Sequence, residues 1–440
     1  MDSRCFDILT RLASTRLSRT AALRGVAAGA LAAVLAAAGV ATPAEARHKK
    51  GKKKPICLCP TADAVSCADK KAKQKQVKKL ARQACNYTGK CQPGVVGAQC
   101  RCPSGQTRCG QRCVNLKSDP ANCGACGKVC AAGLACGGGT CCLPATANLQ
   151  AALDAASAGS TLRLCAGVWG VVSTLQIGKD LTLVGAGAGK SVLDGGDAVR
   201  VLRIAAGVTA AVRDLTITNG KATGTSSHDG GGGIVNEGTL SLRGVTVTGN
   251  RAEYAAGGIY NAGTLTLQDG SRVTGNRSQN RGGGIENAYG TVTLQAGSQV
   301  AGNSARNTGG GFVNAAGTTT LQAGSLIGGD TPGEANSAGA GGGIANTGGS
   351  LTLETGSRVT GNHATFGGGG IFTNSGVVTL QGGSQVTGNS ADSNGGIAGG
   401  GGSVVTLEAG ALVCGNTPAT NQCFDVTGVC PYPAETCGST

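Results

Sequence analysis

Aromatic residues make up only 2% of this 440-residue chain, and its histidines are three: His48, His228 and His363. The first scarcity argues against a large platform on which sugar rings stack, and the second against a His-rich metal centre. Beyond residue 46 there is no long apolar run, so the mature chain is expected to have no integral membrane span. Acidic balance is missing in one place only. Residues 47–82 carry thirteen Lys or Arg against Asp63 and Asp69, whereas residues 83–440 hold twenty basic and eighteen acidic groups. The net charge of +15 therefore belongs mostly to one short arm.

What is present in excess is glycine, 79 residues, and cysteine, 21. The amino terminus has five Arg within residues 1–24, an Ala-rich apolar run from Val26 to Ala41 and Ala44-Glu45-Ala46 ahead of Arg47. This is the pattern of a secretory signal peptide over 1–46. Ser18-Arg19-Thr20-Ala21-Ala22-Leu23-Arg24 resembles the twin-arginine export motif with Thr at the second Arg, which leaves the export route open. A secreted, extracellular destination at the cell wall or envelope is expected.

The cysteines support that destination, since so many thiols do not persist reduced outside the cytoplasm. Cys5 leaves with the signal, and the other twenty fall into even groups. Six lie between Cys57 and Cys100. Eight follow at Cys102, Cys109, Cys113, Cys123, Cys126, Cys130, Cys136 and Cys141; Cys142 and Cys165 form a further candidate pair; Cys414, Cys423, Cys430 and Cys437 close the chain. Even parity favours disulfides, with connectivity open. Cys123-x-x-Cys126 has zinc-ligand spacing, but no His stands at ligand distance and the compartment is oxidising. No metal or cofactor is expected. The run CVNL, then DPANCGACG, then two more spaced Cys within 102–141 resembles the stigma-specific cysteine-rich family. That resemblance implies a small disulfide-stapled extracellular module for binding, without catalytic residues. The cysteine-rich module is placed at 83–143.

The arm, 47–82, includes Lys49, Lys50, Lys52, Lys53, Lys54, Lys70, Lys71, Lys78 and Lys79. Like charges this dense repel and stay solvated. The arm is either a flexible spacer or an electrostatic tether to an anionic envelope polymer or polysaccharide. It has no aromatic residue to stack on bases, and no nucleic-acid partner is expected.

From residue 231 the chain repeats itself. An Ile or Phe follows a glycine run at Ile234, Ile259, Ile285, Phe312, Ile344, Ile371 and Ile397, at intervals of 25, 26, 27, 32, 27 and 26 residues. Each unit closes on Asn250, Asn276, Asn303, Asn362, Asn389 or Asn416, and counting by the period puts Asp330 in the slot between Asn303 and Asn362. In Thr264-Leu265-Thr266-Leu267 the Leu alternate with Thr and are expected to face inward. Three short strands per unit, joined by Gly and Asn turns such as Asp269-Gly270, describe one coil of a parallel β-helix. Asn236, Asn261, Asn287, Asn314 and Asn346, each two residues after the Ile or Phe, are expected to stack as a buried ladder. Leu149, Leu153 and Ala156 predict a short helix covering the open edge of the first coil.

LQAALDAASAGSTLRLCAGVWG, 149–170, is similar to the opening of pectin-lyase-like β-helix proteins. The GGGI units resemble the GGA-I repeats of chlamydial polymorphic outer-membrane proteins, with Phe312-Val313-Asn314 and Phe372-Thr373-Asn374 as looser matches to their F-x-x-N motif. Residues 418–440 are too few for the membrane barrel those proteins carry. The resemblances imply an all-β chain: a right-handed, single-stranded parallel β-helix over 144–417, roughly ten coils, with a cysteine-containing tail at 418–440. They also imply an adhesin-like or carbohydrate-directed role.

Two functions are weighed. The first is a non-catalytic structural or adhesive element of the envelope, whose partner is an anionic polymer or another surface protein. The alternative is a polysaccharide lyase or glycoside hydrolase. Ser227-His228-Asp229-Gly230 lacks the GHG of the fold's hydrolases, and the repeats lack the recurring Asp of the calcium nonapeptide solenoids. A lyase would have Asp194, Asp197 and Asp214 with Arg200, Arg203 or Arg213. LDGGD is also ordinary turn chemistry, so the non-catalytic function is preferred.

Overall fold

The computed structural model describes residues 57–58, 64–65, 102–110, 112–226, 229–331 and 333–418. The arm lysines, the signal segment, His228 and Cys423, Cys430 and Cys437 lie outside them. Cys57–Leu58 and Ala64–Val65 form a short antiparallel pair. The chain divides into two compact units, one holding Cys102–Cys130 with Gly138–Thr140, the other Ala131–Gly137 and Cys141 onward. In the first, Cys102 is bonded to Cys113 and Cys109 to Cys126. Cys126 therefore offers no thiolate to zinc, and Cys123 is disulfide-bonded as well.

The second unit is a parallel β-solenoid of about nine turns. The first sheet has ten strands, from Ser160–Arg163 to Val404–Leu407; the second has ten, from Gly167–Gly170 to Leu412–Cys414. The third has nine, from Leu175–Ile177 to Ile397–Gly400. A fourth, shorter ladder of seven strands runs from Lys221–Ala222 to Ser390–Ser393, a wall beyond the three expected. It is built from the two to five residues that follow Gly220 and then each closing Asn, too short a segment to announce itself by alternation.

Each strand pairs with its counterpart one coil above and below, so side chains at equivalent positions stack in columns with about 4.8 Å between rungs. Leu240, Leu265, Val292, Leu351 and Val378 share one inward column with the buried Thr319, and an apolar core runs the length of the helix. No coil buries this surface alone, which is why the sentence must be repeated.

Two Asn ladders satisfy the corners. Asn236 Nδ2 donates to Asn261 Oδ1 at 2.7 Å, Asn261 to Asn287 at 2.9 Å, Asn287 to Asn314 at 3.0 Å and Asn314 to Asn346 at 2.8 Å. All five are fully buried. In the second ladder Asn303 Oδ1 accepts from both the backbone N and Nδ2 of Asn276, and Asn336 does the same for Asn303. Asn336, not Asp330, fills the slot between Asn303 and Asn362. Asp330 lies in an exposed turn and pairs with Arg358 at 3.2 Å. The slot requires a donor as well as an acceptor, and a carboxylate supplies only the latter.

The glycine runs have a division of labour. The first residue of each triplet is left-handed, as at Gly282 (φ 64) and Gly309 (φ 64). The second is a close approach: a Cβ on Gly283 would lie 2.4 Å from the carbonyl oxygens of Gly310 and Ser304. Gly283→Ala is expected to cost about 1–3 kcal/mol through overpacking against backbone that cannot turn aside. Urea denaturation checks this, with Gly270→Ala, whose Cβ would meet nothing within 4 Å but whose φ is 76, separating strain from contact.

The first edge is closed from both sides. Asn148 caps the helix Leu149–Ala155 by accepting from the Ala151 N–H. Leu149 and Leu153 point into the core. The Gln150 amide then pairs with the open backbone of the edge strand: Oε1 accepts from Gln176 N at 2.8 Å and Nε2 donates to Gln176 O at 3.2 Å. Such a cap blocks further strand addition. The Cys142–Cys165 disulfide joins the segment before the helix to the first coil.

Candidate anion-binding groove

The fourth ladder positions the site. Its strands alternate one outward and one inward residue; Ala222, Ala252, Ser278 and Ala305 are buried. The outward column reads Lys221, Arg251, Arg277, then Ser304 and Ser337. Three cations thus stand on consecutive rungs at about 4.8 Å spacing. They line a cavity of about 340 Å³ with Glu253 and Gln279.

The cations are not equally committed. Arg251 is held by Asp197, with Nε 2.8 Å from Oδ1. Lys221 makes only a 3.8 Å contact with Glu253. Arg277 is exposed and, among the described residues, has no ion pair or side-chain hydrogen bond. A groove with one uncommitted and one weakly held cation can accept a carboxylate or sulfate without first breaking a strong internal pair.

The candidate lyase residues do not converge. Asp194 Oδ1 accepts from Gly196 N and Asn219 Nδ2, which is turn chemistry. Asp197 serves Arg251. Asp214, left-handed at φ 54, precedes the second-sheet strand Thr216–Thr218, whereas Asp194 ends the neighbouring strand. Arg200 donates to three backbone carbonyls, those of Asp229, Gly230 and Gly231, and burial, with Arg203 nearby, lowers its pKa. Arg203 is paired with Glu237 at 2.7 Å on the third sheet. Arg213 is exposed on the first sheet, in register with Arg243. The set is spread over separate faces, and only Asp197 contributes to the groove, as a counter-ion.

One ionisable group passed unnoticed in the sequence. Glu286 occupies the outward column of the third sheet, in register with Tyr260 and Val313. The loops before each strand fold back over this column, so Glu286 is fully buried and Tyr260 nearly so. Burial pushes the Glu286 carboxyl up to about 7, against the opposing pull of Arg281, whose Nη2 lies 2.8 Å from Oε1 without hydrogen-bond alignment. Burial, with Glu286 beside it, raises the Tyr260 hydroxyl to about 12. Arg281 also lies over the Tyr254 ring at 5.8 Å. A pKa near neutrality suits acid–base work, but this carboxyl has no exposed surface to offer a substrate. The sequence signal was a single charge, Ile285-Glu286-Asn287, where neighbouring units have Val, Tyr or Ala.

No protein-family profile, curated protein or solved structure matches this chain.

Proposed function

We propose that this chain is a secreted, non-catalytic, envelope-associated structural and adhesive element whose ligand is an anionic polymer. The observation that carries the proposal is the Lys221–Arg251–Arg277 column in its groove. A polymer bearing one negative charge per residue can lie along the stack and meet a cation at successive rungs. The lysine-rich arm adds long-range attraction for the same ligand. Three observations support the setting. The disulfides fit an oxidising compartment. No helix among the described residues is long and apolar enough to cross a membrane. The resemblance to pectin-lyase-like helices and to polymorphic outer-membrane protein repeats supports a right-handed coil and a carbohydrate-directed role.

The test is retention of the full chain on an immobilised polyuronate. Arg277→Ser is expected to weaken binding about threefold to tenfold at low salt, and Lys221→Ser/Arg277→Ser further, with a shallower salt dependence. If the double variant binds like the parent while neutralising the arm lysines abolishes binding, the groove is not the site.

A further inference from the structure

The outward face of the first sheet has a chemistry unlike the rest of the molecule. Thr266, Thr293, Thr320, Thr352, Thr379 and Thr406 succeed one another in register on six consecutive rungs. Beside them, two residues earlier on three of these strands, Thr264, Thr291 and Thr318 form a second column, which begins at Thr239 on the preceding strand and continues as Ser350, Val377 and Val404. The strands from Thr264 to Leu407 contain no charged and no aromatic residue. The registers of this sheet run through without a shift, whereas the fourth ladder is bulged.

The hydroxyls are uncommitted. Inward Thr319 Oγ1 accepts from the Asn287 amide, and on the second sheet Thr360 and Thr387 bond to each other. The two outward columns of the first sheet make no side-chain hydrogen bond among the described residues. Each Thr side chain is β-branched and restricted at χ1, and its backbone is fixed by ladder bonds on both sides. The result is a rigid two-dimensional array of hydroxyls and methyls.

Its spacings are set by the sheet: about 4.8 Å between rungs and about 6.8 Å between residues i and i+2. Fully hydrogen-bonded water has a related geometry. Tetrahedral coordination with an O···O distance of about 2.75 Å puts second-neighbour oxygens about 4.5 Å apart, and the hexagonal network repeats at about 7.3 Å along its axis. The two meshes agree to within about a tenth in both directions. We infer that this face binds ice, organising a layer of water that is continuous with the lattice. Charge supports this ligand. An uncharged array, on a chain of net charge +15, suits a neutral lattice and not the polyanion assigned to the groove. A neutral glycan would be gripped chiefly by aromatic stacking, which the strands of this face do not offer; the amide of Gln268 stands only at the edge of the Thr array.

The test is incorporation of the fluorescently labelled full chain into a slowly growing ice hemisphere, with freezing hysteresis measured in parallel. The parent chain is expected to enter the ice and facet it. Thr293→Tyr/Thr320→Tyr, which breaks the flat array, is expected to lower incorporation about tenfold or more, with far-UV circular dichroism and melting unchanged. Thr352→Lys adds one outward charge and serves as the second disruption should the double variant fold poorly. Thr248→Tyr, on the second sheet, is expected to behave like the parent. Exclusion of the parent from ice would overturn the inference. So would incorporation unaffected by the array variants, or binding to crystalline neutral polysaccharide with the same sensitivity to them.

Discussion

Replacing Asn303 by Ala is expected to destabilise the solenoid by about 3–5 kcal/mol. The side chain is fully buried and used at every atom. Its Nδ2 donates to the carbonyls of Val273 and Ala301 and to Asn336 Oδ1; its Oδ1 accepts twice from Asn276. Truncation leaves the Asn276 backbone N–H without this acceptor and removes a donor from the carbonyls of Val273 and Ala301, the latter keeping Gly275 N at 3.3 Å; each buried group left unsatisfied costs about 1–3 kcal/mol. The loss propagates along the stack, because each Asn holds the corner of the coil before it. Urea denaturation of Asn303→Ala, compared with Asn307→Ala, measures it. Asn307 makes an equally short amide contact, 2.7 Å to Asn280, but at an exposed position, so its removal is expected to cost less than about 1 kcal/mol. Equal effects would mean that the buried ladder contributes no more than surface bonding.

The second large effect is on pH. The folded-state pKa of Glu286 is about 7, above the ordinary glutamate value of 4.5. The folded chain therefore retains a proton that the unfolded chain releases. The associated stability is fully present below about pH 4.5 and is lost as the pH rises through 7. A shift of this size corresponds to about 3 kcal/mol. Glu286→Gln keeps the shape and removes the titration. Its stability relative to the parent is expected to rise between pH 4.5 and 7.5, while the slopes due to other carboxylates cancel in the comparison. Arg281, 30% exposed at its side chain, and Tyr260 are the groups beside the carboxyl, and Tyr260 in turn neighbours Tyr289 and Glu237. In the same conformation the Arg281 guanidinium lies over the Tyr254 ring at 5.8 Å. Parallel stability curves for the two proteins across this range would place the Glu286 pKa near its ordinary value.

Much of the scaffold was legible because the solenoid writes its constraints periodically. Leu265 and Leu267 declare the inward face, and the recurring Asn mark the corners. Legibility failed where the period broke. The 32-residue interval between Phe312 and Ile344 carries its extra residues before the corner Asn, so counting forward from Asn303 lands on Asp330 instead of Asn336. The donor requirement of the slot identifies the right residue; the spacing does not. The fourth ladder escaped because several of its strands, such as Arg251–Ala252, have only two residues. Its cation column was visible only as Gly220-Lys221, Asn250-Arg251 and Asn276-Arg277 once those residues were known to share a wall. The acidic and basic residues near 194–214 stood out by proximity in sequence, and the coil geometry sends them to different faces.

The most direct measurement is polymer length. The full chain, oxidised, is incubated with acidic polysaccharides and the mixture separated by size, at low and at high salt. The expected result is polymer of unchanged length that co-elutes with the protein at low salt and separates from it at high salt. Shortened polymer would contradict a non-catalytic role and return attention to Asp194, Asp197, Asp214 and the arginines near them.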